Sequence, residues 1–230
     1  MRLTLPQPLR RLLAELVIRE RERRGSGFEA VSGWPERIDG FEDLAFLFSS
    51  TILAHGVASL RLDEAAYLYR LARAERPCVV AELGRFRGGS TVVLAAAAGG
   101  DGVVHSYDIP TRQGRDGAEL DRQLSAALER YGLAGRVVLH VEDSRHATPP
   151  HPLDLLFIDG DHSEAGVRSD FERWSPHVRP GGHVLFHDAV AAPDLIPTFD
   201  PGPARVAAAA GPEWERREAA GSLAHLVRGA

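Results

Sequence analysis

The sequence predicts an α/β domain built on a doubly wound, mostly parallel sheet. From residue 61 onward, short apolar runs of strand length alternate with amphipathic stretches of helical length. Several of those runs end in an acidic residue or a glycine-rich turn. The chain has 230 residues, 44% of them hydrophobic, which suffices for one such domain with a sizeable core. Strands alternating with helices pair in parallel through right-handed crossovers, with helices on both faces.

Each element follows from its own segment. Residues 7–24 predict an amphipathic helix with Leu9, Leu12, Leu13, Leu16 and Val17 on one side. Its charged end, Arg19 to Arg24, reads as a solvated helix end or an oligomer surface, and Gly25-Ser26-Gly27 breaks it. Residues 41–54, rich in Phe, predict a second helix. Residues 1–60 therefore read as an N-terminal helical cap on a core spanning 61–230. Asp63 is expected to cap a helix that runs to about residue 74. The strand Cys78 to Leu83 follows, then a glycine-rich turn and the helix STVVLAAAA. The next strand, Val103 to Tyr107, ends at Asp108, and a long helix covers about 117–131. Strands are expected at 136–141 and 153–158, and a helix at about 163–175. A turn at Arg179-Pro180-Gly181-Gly182 leads to a strand over 183–187. At the C-terminus, 214–219 and 223–228 are expected to form a hairpin around Gly221-Ser222.

Composition removes whole classes of chemistry. The 27 basic and 32 acidic residues leave a formal charge of -5, which favours neither nucleic acid nor an anionic membrane as partner. All 27 basic residues are Arg, and the chain contains no Lys and no Asn. A Schiff-base Lys, a P-loop Lys, a Lys general base and an Asn metal ligand are thereby excluded, as is N-glycosylation. The single Cys78 cannot form an internal disulfide and fits a reducing compartment. No apolar run reaches the ~18–20 residues of a membrane span. The N-terminus lacks the form of a secretory signal, so the expected location is the cytoplasm.

Ligands in doubly wound sheets sit at the carboxyl ends of the strands. After the first strand comes Glu82-Leu83-Gly84-Arg85-Phe86-Arg87-Gly88-Gly89-Ser90. Gly84 permits a tight turn, Gly88 and Gly89 permit close backbone approach, and the helix N-terminus offers free N–H donors. Phe86 occupies the middle glycine position of a dinucleotide fingerprint and would crowd a pyrophosphate. The same segment also fits an ordinary strand–helix turn. Asp108, 26 residues after Glu82, suits a ribose diol or a plain turn. Glu142-Asp143-Ser144 suits an adenine edge, or common turn chemistry. The fourth strand ends at Asp159-Gly160-Asp161-His162 and the fifth at His187-Asp188. If those strands are neighbours, about 4.8 Å apart, Asp159, His187 and Asp188 converge on one hard cation. Carboxylates suit Mg²⁺ or Mn²⁺, and the imidazole leans the choice toward Mn²⁺ or Fe²⁺. His162 would lie close enough to take a proton. The alternative makes Asp159 a capping residue and His187 a buried strand-end histidine.

Taken in order, E-L-G-R-F-R-G-G-S, S-Y-D, F-I-D-G-D-H-S and R-P-G-G-H-V-L-F-H-D-A resemble class I S-adenosylmethionine-dependent methyltransferases. Within that superfamily the chain resembles metal-dependent O-methyltransferases of bacterial natural-product and sugar pathways. The resemblance covers about residues 61–228. It implies a Rossmann-like sheet of order 3-2-1-4-5-7-6 with an antiparallel last strand. It implies that Glu82, Gly84 and Ser90 line the methionine end of S-adenosylmethionine, with Arg85, Phe86 and Gly88 in the same cofactor loop. Asp108 would hold the ribose, Asp143 and Ser144 would lie near the adenine, and Asp159 would border the cofactor as well as the metal. Asp159 and Asp188 would ligate Mg²⁺ or Mn²⁺, with His187 at the position that is acidic in sugar-modifying relatives. Ala189 stands where catechol-type enzymes place an Asn ligand, and His162 where they place a Lys base.

The expected activity is methyl transfer to a hydroxyl of a small-molecule acceptor, metal-assisted, with His162 as base. An unperturbed imidazole, with a pKa of about 6.5, is mostly neutral at neutral pH. Alternatives are a metal-independent N- or O-methyltransferase, a nicotinamide-dependent oxidoreductase and a non-catalytic cofactor-binding module. Phe86 and the C-terminal hairpin argue against the oxidoreductase. No nucleic acid or membrane partner is expected, and the N-terminal helices are candidate faces for a homo-oligomer. The acceptor pocket is expected between the cap and segment 189–204. Its named contacts, Arg85, Arg87 and His55, have surface roles as alternatives.

Overall fold

A computed structural model describes residue 28 and residues 34–48, 57–76, 78–112, 115–190 and 201–230. The expected helix over 7–24, the second half of the expected helix over 41–54, His55 and most of the loop 189–204 lie outside the described residues. The first half of the second helix is a 3-10 helix, Glu42–Leu47.

Seven strands form one sheet: β1 (Val79–Leu83), β2 (Val103–Asp108), β3 (Val137–Val141), β4 (Leu153–Ile158), β5 (Val178–Phe186), β6 (Trp214–Arg217) and β7 (Ala224–Arg228). Their order is 3-2-1-4-5-7-6. β1 to β5 are parallel, and β7 runs antiparallel to both β5 and β6. The helices are α1 (Leu62–Ala74), α2 (Gly89–Ala97), α3 (Gly117–Arg130), α4 (Glu164–Trp174) and α5 (Gly202–Ala208).

Alternation along each strand divides the core between two faces. Val80, Leu155, Phe157 and Leu185 pack with Leu68 of α1, Val92 of α2 and Leu124 of α3. Ala81, Leu156, Ile158, Val184 and Phe186 pack with Val167 and Trp174 of α4 and Val206 of α5. Both faces are thus covered, as a parallel sheet requires. The same parity sends Glu82, Asp159 and His187 toward the α1–α3 face. Phe28, Leu44, Leu47, Val57 and Leu60 belong to that face's core, so the described part of the N-terminal region packs on the sheet.

Two local expectations need correction. Asp63 is not the cap of α1; Arg61 is, and Glu64 reaches back to accept the Arg61 N–H at 2.8 Å. A glutamate at the third helical position can make that reach, whereas Asp63 already sits in the first turn. The segment 179–182 is not a turn preceding a strand but part of β5. Leu153 pairs with Val178 and Leu155 with His183, so the intervening residues bulge out while the strand continues. Gly181, with φ of 74°, supplies the left-handed conformation that the bulge needs.

Candidate active site

β1 ends in Glu82 and Leu83, and the loop to α2 is drawn against β2 and β4. The Gly84 N–H donates to the Tyr107 carbonyl at 3.0 Å, and the Asp159 N–H to the Leu83 carbonyl at 2.8 Å. Gly84 has φ of 94°, and a Cβ there would lie 2.2 Å from the Asp159 carbonyl oxygen. Only glycine lets these strand ends close up.

The Asp108 carboxylate ties the loop down. Its Oδ2 accepts the N–H groups of Arg85 at 3.0 Å and Phe86 at 2.7 Å, and its Oδ1 accepts the Ile109 N–H at 2.7 Å. The Arg85 side chain turns inward. Its Nε and Nη2 donate to Asp121 of α3 at 2.9 and 3.1 Å, and Nη1 donates to the Ser106 carbonyl at 2.5 Å. Phe86 takes φ of 46°, and the Arg87 guanidinium lies over its ring at 4.6 Å. The close approach at Gly88 and Gly89 is made by the protein's own chain. A Cβ on Gly88 would meet Leu124, and one on Gly89 would meet Ala58 at 2.3 Å.

Glu82 is fully buried, and its Oε2 accepts from Thr91 and Ser106 hydroxyls at 2.5 Å each. Its Oε1 is buried without a hydrogen-bond partner. Burial pushes the Glu82 carboxyl up, against the hydrogen bonds from Ser106 and Thr91. An unpartnered buried acceptor beside a glycine turn suits a ligand that brings a donor, as an α-amino group does. With Asp108 at the next strand end, these residues fit S-adenosylmethionine.

After β3, Asp143 and Ser144 are held from two sides. Asp143 pairs with Arg145 at 2.5 Å, which outweighs burial and brings its pKa to about 2. The Ser144 hydroxyl donates to Asp170 of α4 at 2.6 Å, and the Trp174 indole N–H donates to the Ser144 carbonyl at 3.0 Å. Burial pushes Asp170 up to about 6.

β4 and β5 are neighbours, with Ile158 opposite Phe186, so their ends bring four predicted residues together. His187 Nδ1 lies 2.9 Å from Asp159 Oδ1 and 3.5 Å from Asp188 Oδ2. His162 spans the two carboxylates, with Nε2 3.3 Å from Asp159 and Nδ1 3.6 Å from Asp188. Asp188 is held at φ of 53° and shares hydrogen bonds with Ser222. Its carboxyl is raised, chiefly by burial. At Asp159 burial acts upward, but His187 and His162 bring its pKa to about 2. Burial alone would lower both histidines; Asp159 and Asp188, with Glu64 at His187, raise them instead. His162 is therefore more protonated near neutral pH than an unperturbed imidazole would be.

The ligand atoms of Asp159, His162 and His187 lie within 4.8 Å of one another, close enough to hold a metal ion. Neighbouring donors around a six-coordinate ion with ~2.1 Å bonds stand roughly 3 Å apart, and the Asp159–His187 separation matches that. Two imidazoles with the Asp159 carboxylate form a donor set suited to Mn²⁺ or Fe²⁺ as well as Mg²⁺, and Asp188, expected as a ligand, lies beside this group rather than in it. The residues present therefore fit a divalent cation. His162, expected only as a base, also belongs to this potential ligand group.

The residue that pattern reading missed is Glu64, 1% exposed, whose Oε2 lies 3.3 Å from His187 Nε2. Glu64 lies in the first turn of α1, and no sequence motif connects it with the strand ends.

Residues 81–189 match the family model described as a methyltransferase domain. An uncharacterized protein of Sinorhizobium fredii is 32% identical over 132 residues, 51% of this chain. The matched stretch is only 14% of that relative's length. Among solved structures, the O-methyltransferase TomG of Streptomyces achromogenes, involved in tomaymycin synthesis and bound to S-adenosylmethionine, superposes with a TM-score of 0.55. It is 21% identical, over 74% of this chain and 82% of that one. A putative caffeoyl-CoA O-methyltransferase of Staphylococcus aureus gives 0.60 at 14% identity, over 95% of this chain and 100% of that one. The strand order and the matched segment lead to the same place: residues 81–189 are similar to a methyltransferase domain, on a sheet that has the fold of the solved O-methyltransferases.

Proposed function

We propose that the domain transfers a methyl group from S-adenosylmethionine to a hydroxyl of a small molecule of sugar or natural-product type, assisted by a divalent cation. The observation that carries this reading is the convergence of Asp159, His162, His187 and Asp188 at two adjacent strand ends. When bound, the cofactor supplies an activated sulfonium methyl, and a divalent ion lowers the pKa of a hydroxyl beside it. Glu82, Asp108 and the loop from Gly84 would hold the donor and so orient its methyl group toward the acceptor. His162 is the most exposed of the four residues, with 30% of its side chain accessible. That exposure supports its meeting the acceptor, and a divalent cation competing for Asp159 and Asp188 would favour the neutral imidazole, which takes the hydroxyl proton as the new O–CH₃ bond forms and the S–CH₃ bond breaks. The role of TomG in tomaymycin synthesis supports an acceptor of natural-product type. We also place the domain in a reducing cytoplasm, where Cys78 is inert because burial pushes its thiol up to about 12. No helix among the described residues is long and apolar enough to cross a membrane.

A metal-independent N- or O-methyltransferase is the second reading. It is favoured by the contacts of His187 with Glu64, Asp159 and Asp188, through which a protonated imidazole can itself neutralise the carboxylates. Chelation separates the two. Turnover of a hydroxylated acceptor is expected to vanish in EDTA and return with Mn²⁺ or Mg²⁺; turnover indifferent to EDTA would establish the second reading instead.

A further inference from the structure

We propose that Glu64 is a positioning residue that orients His187 toward the cation site from helix α1, outside the matched segment 81–189. The proposal rests on the cation-assisted reading above. It starts from a geometric constraint. The two nitrogens of an imidazole point to opposite sides of the ring, and in the neutral ring only one carries a proton. His187 presents Nδ1 to Asp159 and Asp188, the strand-end carboxylates, and Nε2 to Glu64. A carboxylate can only accept, so once a cation takes the place of a proton at Nδ1, beside Asp159, Glu64 is the acceptor that holds the remaining proton on Nε2. This is the carboxylate–histidine–metal arrangement in which an outer carboxylate sets the tautomer and the ring angle of the ligand.

Glu64 is itself held with little freedom. Its Oε1 accepts the Ser222 N–H at 2.6 Å, and its Oε2 accepts the Arg61 N–H at 2.8 Å. The turn before β7 makes room for it. A Cβ on Gly221 would lie 2.4 Å from Glu64 Oε1, and Gly221 takes φ of 59°. The same turn holds Asp188, whose N–H donates to the Ser222 hydroxyl at 3.2 Å. One buried carboxylate thus joins the start of α1, the start of β7 and the residue after β5.

The test is calorimetric titration of Mn²⁺ alone into the full chain. Glu64→Gln cannot offer acceptors to Ser222, Arg61 and His187 together. It is expected to weaken Mn²⁺ binding 10–100-fold while S-adenosylmethionine binding holds. In a His187→Ala background the same change should cost nothing further. Unchanged Mn²⁺ affinity in Glu64→Gln, or an equal loss in both backgrounds, overturns the positioning role and leaves the cation reading intact. A wild-type chain that binds no Mn²⁺ overturns both. A readout free of any variant is the imidazole ¹⁵N spectrum of the Mg²⁺-saturated wild type. A proton on His187 Nε2 and none on Nδ1 is expected, and a proton on Nδ1 would sink the proposal.

Discussion

Arg85 and Asp121 form a two-point ion pair, 2.9 and 3.1 Å, beneath the loop that leads from β1 into α2. The guanidinium is wholly buried, and the sequence places it in the middle of the glycine-rich turn after β1. Its side chain therefore serves the scaffold, while its backbone N–H is held by Asp108. Removing one partner of a buried pair strands the other charge, which costs about 3–5 kcal/mol. Arg85 keeps its bond to the Ser106 carbonyl, so the lower figure applies. Asp121→Ala is expected to cost about 3 kcal/mol in urea unfolding and to weaken S-adenosylmethionine binding through the loop. A loss below about 1 kcal/mol would mean the pair is dispensable.

Gly84→Ala tests the close contact between β1 and β4. The new Cβ would collide with the Asp159 backbone, and the left-handed φ adds strain. Together these are expected to cost at least ~2 kcal/mol. Because Asp159 moves with the collision, Mn²⁺ affinity should fall as well. A variant that melts with the wild type would show that the strand ends separate without penalty.

Asp170 gives a pH signature. Its folded pKa, about 6, lies above its ordinary value of 3.8, so the fold favours the protonated form. That contribution is complete below pH 4 and is lost as pH rises through about 6. Two pKa units correspond to about 3 kcal/mol at most. Asp170→Asn should keep an acceptor for the Ser144 hydroxyl without carrying the charge. The mutant is expected to gain stability over wild type between pH 4 and pH 7, as read from melting temperatures across that range. A wild-type-minus-mutant difference that is flat with pH would refute the assignment.

His162→Ala separates catalysis from binding. The variant should bind S-adenosylmethionine normally by calorimetry and lose 10²–10⁴-fold in turnover, the usual contribution of a positioned base. Turnover near wild type would remove His162 from proton transfer and leave it only as a member of the cation group.

Much of this molecule is legible in one dimension. Strands and helices are local: the run from Leu153 to Ile158 is apolar at every position but one, and a strand covered on both faces needs that. Because β4 and β5 adjoin, the residues that end them, Asp159 and His187, meet without any further information. The absence of Lys and Asn likewise removes both residue types from the proposed base and ligand roles. Other features depended on helix-to-sheet packing. Glu64 meets His187 across 123 positions, and Arg85 finds Asp121 across 36. Neither pairing has a period or a motif, because each depends on how a helix is rotated and set down on the sheet. Packing also closed the gap beside Gly88 and Gly89 with Leu124 and Ala58, and bulged residues 179–182 within a continuing strand. Sequence pattern determines which faces are apolar and where strands end. Which buried polar groups then satisfy one another is decided only when those faces come together and every desolvated charge must find a partner.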